Sequence, residues 1–337
     1  MPDCSDRPHV SVPCGYRMTC SKQVALEHVN SISHVLLSDK RVYWARQRTV
    51  DVIKQQIESS WKFVLVLDAR HDDDDLANHV DKVAGFARVI ADGETFGYLA
   101  DVVVSQQHEG KGLARAIVTE AVNHAGHSNN SSLDWKWLLF TDVHELYRKV
   151  LDFKDPSQRG WAMLRWPTEP PRQRLIESKI PSTYQICTDR ETVQQHFDSI
   201  VEILLNHPKV YWGKARTRDM LQRQFLQQCQ VVTVIHSKVD SDGQTRTREL
   251  IGFARVVTDM IDFGYIADVF VLPEHGGKGL ATAMMQTTIQ DLGGIGQSNN
   301  WKWTLFTDDA HKLYERFGFE KVEAQSRVME RFPRTGA

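Results

Sequence analysis

The sequence predicts an α/β (α+β) protein made of two tandem copies of one domain, each a mixed, mostly antiparallel sheet flanked by helices. Three observations predict it. The chain repeats itself at long period. Each copy alternates strand-like and helical apolar patterns. In each copy one glycine-rich heptapeptide, HEGKGLA at 108–114 and HGGKGLA at 275–281, follows a strand-like run and precedes a helical one.

The repeat is the strongest of the three. GFARVIADGETFGYLADVVVSQQHEGKGLA (85–114) aligns with GFARVVTDMIDFGYIADVFVLPEHGGKGLA (252–281), and nineteen of the thirty positions are identical. YRMTC (16–20) matches YQICT (184–188), VYWARQRT (42–49) matches VYWGKART (210–217), and WKWLLFTD (135–142) matches WKWTLFTD (301–308). MLRWP (163–167) matches MERFP (329–333), so each copy is expected to end on its own strand. A period this long, present twice, marks a duplicated domain rather than a solenoid. The expected boundaries are 1–168 and 183–337. They are joined by a polar, proline-bearing linker over 169–182.

In the second copy, 183–188 reads as a short strand, and Val193, Phe197, Ile200, Val201 and Leu204 give a helix over 190–206. A second helix is expected at 216–229 and a strand at 231–237, with a polar hairpin loop at 238–249. LIGFARVVTD and FGYIADVFVLP give two long strands joined by a turn. After the glycine turn come a helix (281–292), a strand (KWTLFTD), a helix (AHKLYERFG) and a last strand (RVMERF).

The turn's position carries chemistry. A helix N-terminus presents unpaired N–H groups and the positive end of the macrodipole, and glycines let a ligand approach the backbone closely. That is an anion site suited to phosphate or pyrophosphate. Neither the dinucleotide fingerprint nor the P-loop pattern is present.

Bulk properties narrow the class. The 337 residues are 41% hydrophobic and 25% charged, as in soluble globular proteins. Lys+Arg against Asp+Glu is 20 to 22 in residues 1–168 and 21 to 21 in 169–337, so nucleic acid is not an expected partner. No apolar run approaches a bilayer span, and the N-terminal stretch lacks a secretory core, so no membrane association and a cytoplasmic location are expected. Five cysteines without a CxxC pair suggest reduced thiols and no metal site. The acidic run Asp72–Asp75 falls in a loop, has no counterpart in the second copy, and reads as solvated rather than metal-binding.

With these residues in place, each half resembles the GNAT superfamily of acetyl-CoA-dependent N-acetyltransferases. The resemblance covers nearly all of each copy. The family signature Q/R-x-x-G-x-G/A is met by Gln107-His108-Glu109-Gly110-Lys111-Gly112. The second copy, Glu274-His275-Gly276-Gly277-Lys278-Gly279, has Glu at the first place. Read two residues later, the signature finds Glu109 and Gly276 where Arg or Gln is usual. The helix ending LYxxxGF is kept as Leu313-Tyr314 to Gly318-Phe319, whereas the first copy keeps Tyr147 but loses the glycine and gains a residue. The resemblance implies acetyl-CoA as co-substrate and no metal. Gln107, Glu109, Gly110, Lys111, Gly112, Leu113 and Ala114 would hold its pyrophosphate in the first copy, and Gly276, Gly277, Lys278, Gly279, Leu280 and Ala281 in the second. Val103 and Val104, or Phe270 and Val271, would line the pantetheine arm between splayed strands. Two such domains can pair internally as a pseudo-dimer.

Acetyl transfer to an amine needs a proton acceptor for the ammonium, donors for the oxyanion and an acid near the leaving thiolate. Tyr314 and Tyr147 sit where the family often places that acid; the other reading is a packed tyrosine anchoring the helix. Asp101 and Asp268 lie inside apolar strands, where burial would raise their pKa and suit a base, unless Arg88 or Arg255 pairs with them. Tyr43-Trp44 and Tyr211-Trp212 could box an amine by cation–π contact or simply pack. His144 and His311 could relay a proton or cap a helix. The expected acceptor is the primary amine of a small molecule. The competing expectations are one catalytic domain beside a degenerate one, or a non-catalytic acyl-CoA-binding protein.

Overall fold

The computed structural model describes residues 10–71, 82–123, 135–155, 162–167, 179–239, 246–290, 292, 301–323 and 327–331. The run Asp72–Asp75 and most of the expected linker, 169–178, lie outside the described residues. The first repeat folds as β1 (Tyr16–Thr19), α1 (Lys22–Glu27), α2 (Val29–Ser38), α3 (Val50–Ser59), β2 (Lys62–Asp68), β3 (Val83–Ala91), β4 (Phe96–Val104), α4 (Leu113–Asn123), β5 (Lys136–Phe140), α5 (His144–Leu151) and β6 (Ala162–Arg165). The second folds as β7 (Tyr184–Cys187), α6 (Arg190–Gln195), α7 (Phe197–Asn206), α8 (Arg218–Arg223), β8 (Gln230–Val239), β9 (Arg246–Thr258), β10 (Phe263–Val271), α9 (Leu280–Gln290), β11 (Lys302–Phe306), α10 (His311–Glu315), β12 (Glu320–Lys321) and β13 (Val328–Arg331).

Local chemistry sets the helix starts. Thr49 and Thr217 accept from the amides of Val52 and Met220, each at 3.3 Å, and so cap α3 and α8. Two helical expectations are corrected. The single helix over 190–206 is broken at His196 (φ −106°, ψ 15° or less), as its counterpart is at His28. The helix over 216–229 is α only to Arg223 and continues as a π turn over Gln224–Gln228. Apolar spacing reports which face is buried, not whether the backbone ladder is continuous.

The first sheet has strand order β1-β2-β3-β4-β5-β13 and the second β7-β8-β9-β10-β11-β6-β12. Among the described residues only β4 with β5 and β10 with β11 run parallel, so both sheets are mixed and mostly antiparallel, as the sequence predicts. The final strands are exchanged. The compact units are Met1–Pro156 with Ala324–Ala337, and Ser157–Glu323. The expected division into 1–168 and 183–337 is therefore corrected: β6 completes the second sheet and β13 the first. A four-residue strand binds an edge through backbone hydrogen bonds, and two homologous edges present the same groups. Nothing in MLRWP or MERFP tells the strand which edge to take.

In the first unit one face of the sheet packs Ile117, Val118, Trp135, Trp137 and Leu139; the other packs Ile32, Ile53, Ile57, Phe63 and Phe86 from α2, α3 and their strands. The second unit repeats the plan, with Met285, Trp303 and Leu305 in one cluster and Ile200, Leu221 and Phe253 in another. Trp137 and Trp303 are fully buried. A Cβ on Gly97 would lie 2.6 Å from the Trp137 ring, and one on Gly264 2.3 Å from that of Trp303. The FGY motif thus keeps its glycine to seat a tryptophan on the neighbouring parallel strand.

Candidate active site

Each sheet opens at one place. β4 pairs with β5 over Phe96–Leu99 and then parts from it, although its ladder to β3 runs on to Val104. β10 likewise pairs with β11 over Phe263–Ile266 while its ladder to β9 reaches Val271. A bulge lies at the parting point, with Asp101 at φ 50° and Asp268 at φ 54°. The left-handed region costs a non-glycine residue about 1–2 kcal/mol, so the surroundings must hold it there. Beyond the bulge the strand offers an edge that a thin, strand-like ligand can extend.

Two guanidiniums hold each aspartate. Arg88 Nε and an Arg48 Nη donate to Asp101 Oδ2 at 2.7 and 2.8 Å, and Trp44 Nε1 donates to Oδ1 at 3.1 Å. Arg255 donates to Asp268 Oδ2 at 2.6 Å, and Arg216 bridges both oxygens at 2.8 and 2.6 Å. Burial works to raise both carboxyls, but the paired arginines outweigh it and hold them well below the usual carboxylate range. The expectation of a raised pKa is thus corrected. A carboxylate this acidic makes a poor base. What Asp101 and Asp268 do is fix the bulge and tie it to the segments carrying Arg48 and Arg216.

The glycine turn follows directly. Gly110, Gly112, Gly277 and Gly279 all have φ between 71° and 79°. A Cβ on Gly110, Gly112 or Gly277 would meet nothing within 4 Å, so the turn's outer side is open space. Among the described residues, the amides of Gly110 to Leu113 and of Gly277 to Leu280 donate to no other backbone group. These amides sit at the N-termini of the eleven-residue helices α4 and α9, an arrangement that fits a pyrophosphate. Leu113 and Leu280 are buried anchors, whereas Ala114 and Ala281 are half-buried. Lys111 folds back to the Gln107 carbonyl at 3.1 Å, and Lys278 to that of Glu274 at 3.2 Å. Gln107 is exposed. Glu109, a carboxylate on the rim of an anion site, is paired with Arg41; the second turn has Gly276 there. Val103 and Phe270 are buried in the core and Val104 and Val271 are half-buried, so these residues offer a ligand main-chain groups rather than free side chains.

The far wall is aromatic. Tyr43 and Trp44 stand edge to face at 5.3 Å and Tyr211 and Trp212 at 5.1 Å, and all four are exposed. Tyr43 donates to Asp142 at 3.0 Å and Tyr211 donates to Asp308, which pushes the Tyr211 phenol up to about 12. Tyr147 and Tyr314 are buried, and burial raises both phenols above their ordinary value, so both stay protonated donors near neutral pH. Both also pack edge to face on Phe153 and Phe319, so they anchor their helices as well. The lost glycine of the first copy is replaced by Asp152, whose φ of 57° fills the role that Gly318 fills at 83°. His144 and His311 open α5 and α10, three residues before the tyrosines.

Three features escape sequence reasoning. Tyr16 and His108 meet at 3.0 Å and Tyr184 and His275 at 2.9 Å, pinning each turn to the first strand of its sheet. The invariant first tyrosine and first histidine of the repeats were the available signal. Arg48 and Arg216 are also matched in VYWARQRT and VYWGKART, but only the fold brings them to the aspartates. Arg327, just before β13, reaches Asp142. Among the described residues no group of three or more His, Cys, Asp or Glu is placed to hold a metal ion, and no helix is long and apolar enough to cross a membrane.

A sheet that opens between two parallel strands beneath a glycine-rich helix N-terminus, twice in one chain, defines a tandem acyltransferase fold. Comparisons agree. Residues 30–153 match the model of the acetyltransferase (GNAT) family, and residues 239–321 that of an acetyltransferase (GNAT) domain. A Gibberella zeae protein named "putative acetyltransferase" is 33% identical over 144 residues, covering 40% of this chain and 78% of that protein. A tandem GNAT protein from the clavulanic acid biosynthesis pathway superposes with a TM-score of 0.51 at 12% identity, covering 96% of this chain and all (100%) of that one. A GNAT-family protein of Xanthomonas campestris is 27% identical, covering 43% of this chain and 88% of its own, with a TM-score of 0.33. The chain belongs to the GNAT acetyltransferase family and carries two GNAT domains.

Proposed function

We propose that each domain binds acetyl-CoA and transfers its acetyl group directly to the primary amine of a small molecule. The observation that carries this reading is the continuity of the parted strand with the glycine turn. A peptide-like arm can extend β4 or β10, and its phosphates then meet free amides over open space. Acetyl-CoA supplies the activated thioester. The amides of Gly110 to Leu113 and Gly277 to Leu280 orient it, and the Tyr147 and Tyr314 phenols are the donors offered to the departing sulfur. Asp101 and Asp268 are positioning residues, because paired guanidiniums remove their basicity. The aromatic pairs Tyr43–Trp44 and Tyr211–Trp212 form the acceptor walls. Arg41 neutralises Glu109, so the first turn stays usable by a pyrophosphate. The setting that suits this chemistry is the cytoplasm, and none of Cys14, Cys20, Cys187 and Cys229 is in a disulfide.

Calorimetric titration with acetyl-CoA tests the reading on wild type, Gly110→Trp and Gly277→Trp. Two sites in wild type and one in each variant are expected. The absence of any binding in wild type would overturn it.

A further inference from the structure

The repeat itself narrows the acceptor. In the first domain Arg327, the residue before β13, lies against the acceptor wall. Its Nε is 2.7 Å from Asp142 Oδ1, one Nη donates to the Tyr43 hydroxyl at 2.6 Å, and its Cζ stands 5.2 Å from the centre of the Tyr43 ring. Its carbonyl accepts from the Thr141 amide at 2.7 Å, which fixes the residue beside the end of β5. Tyr43 and Asp142 thus form a seat for a cation, a ring face beside a carboxylate, and the chain's own guanidinium fills it.

The second domain has the same seat, without that occupant among the described residues. Tyr211 donates to Asp308 as Tyr43 does to Asp142. Val328 pairs with Phe140 on β5, and Ala162 pairs with Phe306 on β11, so the two sheets present equivalent strand ends beside Asp142 and Asp308. Among the described residues no lysine or arginine pairs with Asp308. Asp309 adds a carboxylate where the first domain has Val143, and its field reaches both Tyr211 and Tyr314.

We propose that the Tyr211–Asp308 seat of the second domain binds a positively charged group of the acceptor other than the amine that is acetylated, and that Arg327 closes the equivalent seat in the first domain. The second domain therefore takes a diamine-class acceptor and the first does not. This rests on the acetyltransferase reading above, but the seat can be tested without it.

The test is calorimetric titration of the full-length chain with 1,5-diaminopentane and, separately, pentylamine. The diamine is expected to bind once per chain, at least tenfold tighter than the monoamine. Asp308→Asn keeps the side chain's size and is expected to remove that tenfold preference. Arg327→Gln is expected to raise diamine stoichiometry from one to two. Equal affinities for the two amines, no binding of either, or a diamine affinity unmoved by Asp308→Asn each overturn the seat. A stoichiometry that stays at one in Arg327→Gln overturns the role given to Arg327. Acetyl-CoA is then added. Diamine bound as expected but never acetylated leaves the seat standing and removes the acetyltransferase reading. Acetylation with no preference between the amines does the reverse.

Discussion

Arg255 Nε lies 2.6 Å from Asp268 Oδ2, and both side chains are buried where the second sheet opens. Arg88 and Asp101 repeat the pair at 2.7 Å in the first sheet. The strained aspartate is held where it stands by charge.

Removing that charge is expected to be expensive. Asp268→Asn keeps the shape but leaves two guanidiniums without their anion, and breaking a buried pair from one side costs about 3–5 kcal/mol. Chemical denaturation should show a loss of that order. A loss below about 1 kcal/mol would mean the bulge is held by something else.

The same pair sets an acid dependence. Both carboxyls titrate below their unfolded value of about 3.9, so the stability they contribute is present above that pH and is lost as pH falls toward their folded values. Stability measured from pH 6 downward should fall steeply below about pH 4. In the double variant Asp101→Asn/Asp268→Asn the fall should be shallower, from a lower start.

Tyr314→Phe keeps the ring that packs on Phe319 and removes only the hydroxyl. If the phenol serves the departing sulfur, kcat for the second domain falls by about 10²-fold or more while acetyl-CoA affinity holds. Steady-state kinetics in a Gly110→Trp background isolates that domain. An unchanged kcat would leave Tyr314 as a packing residue.

Gly264→Ala places a methyl group against Trp303, whose ring atoms lie 2.3 Å from the added Cβ. Overpacking of this kind costs about 1–3 kcal/mol. Thermal unfolding should register it in the second unit. Gly277→Ala meets open space, so it should cost only what its φ of 74° imposes, about 1 kcal/mol.

Deleting residues 324–337 separates the two possible destinations of the last strand. Because β13 pairs with β5, the first unit should lose stability and the second should not, although the deleted residues follow the second in sequence. Hydrogen exchange read separately over β5 and β11 checks this: protection should fall over Lys136–Phe140 and persist over Lys302–Phe306.

The sequence by itself determined the duplication, the order of strands and helices, and the glycine turn, because these are local. Gly110 and Gly277 are needed for their own backbone conformation, and an apolar period reports the face of its own element. Tertiary structure decided the rest. Asp101 in an apolar strand reads equally well as a base or as an ion-pair partner. The choice was made by Arg88 on the adjacent strand and by Arg48, fifty-three residues away. The destination of the last strands was likewise undetermined, since backbone hydrogen bonds to an edge carry no residue identity. Arg327 shows both limits at once. It is an ordinary arginine in a polar tail until strand pairing carries it 284 positions back to Tyr43. Charge acts through space, and the distances that decide its effect exist only once the chain has folded.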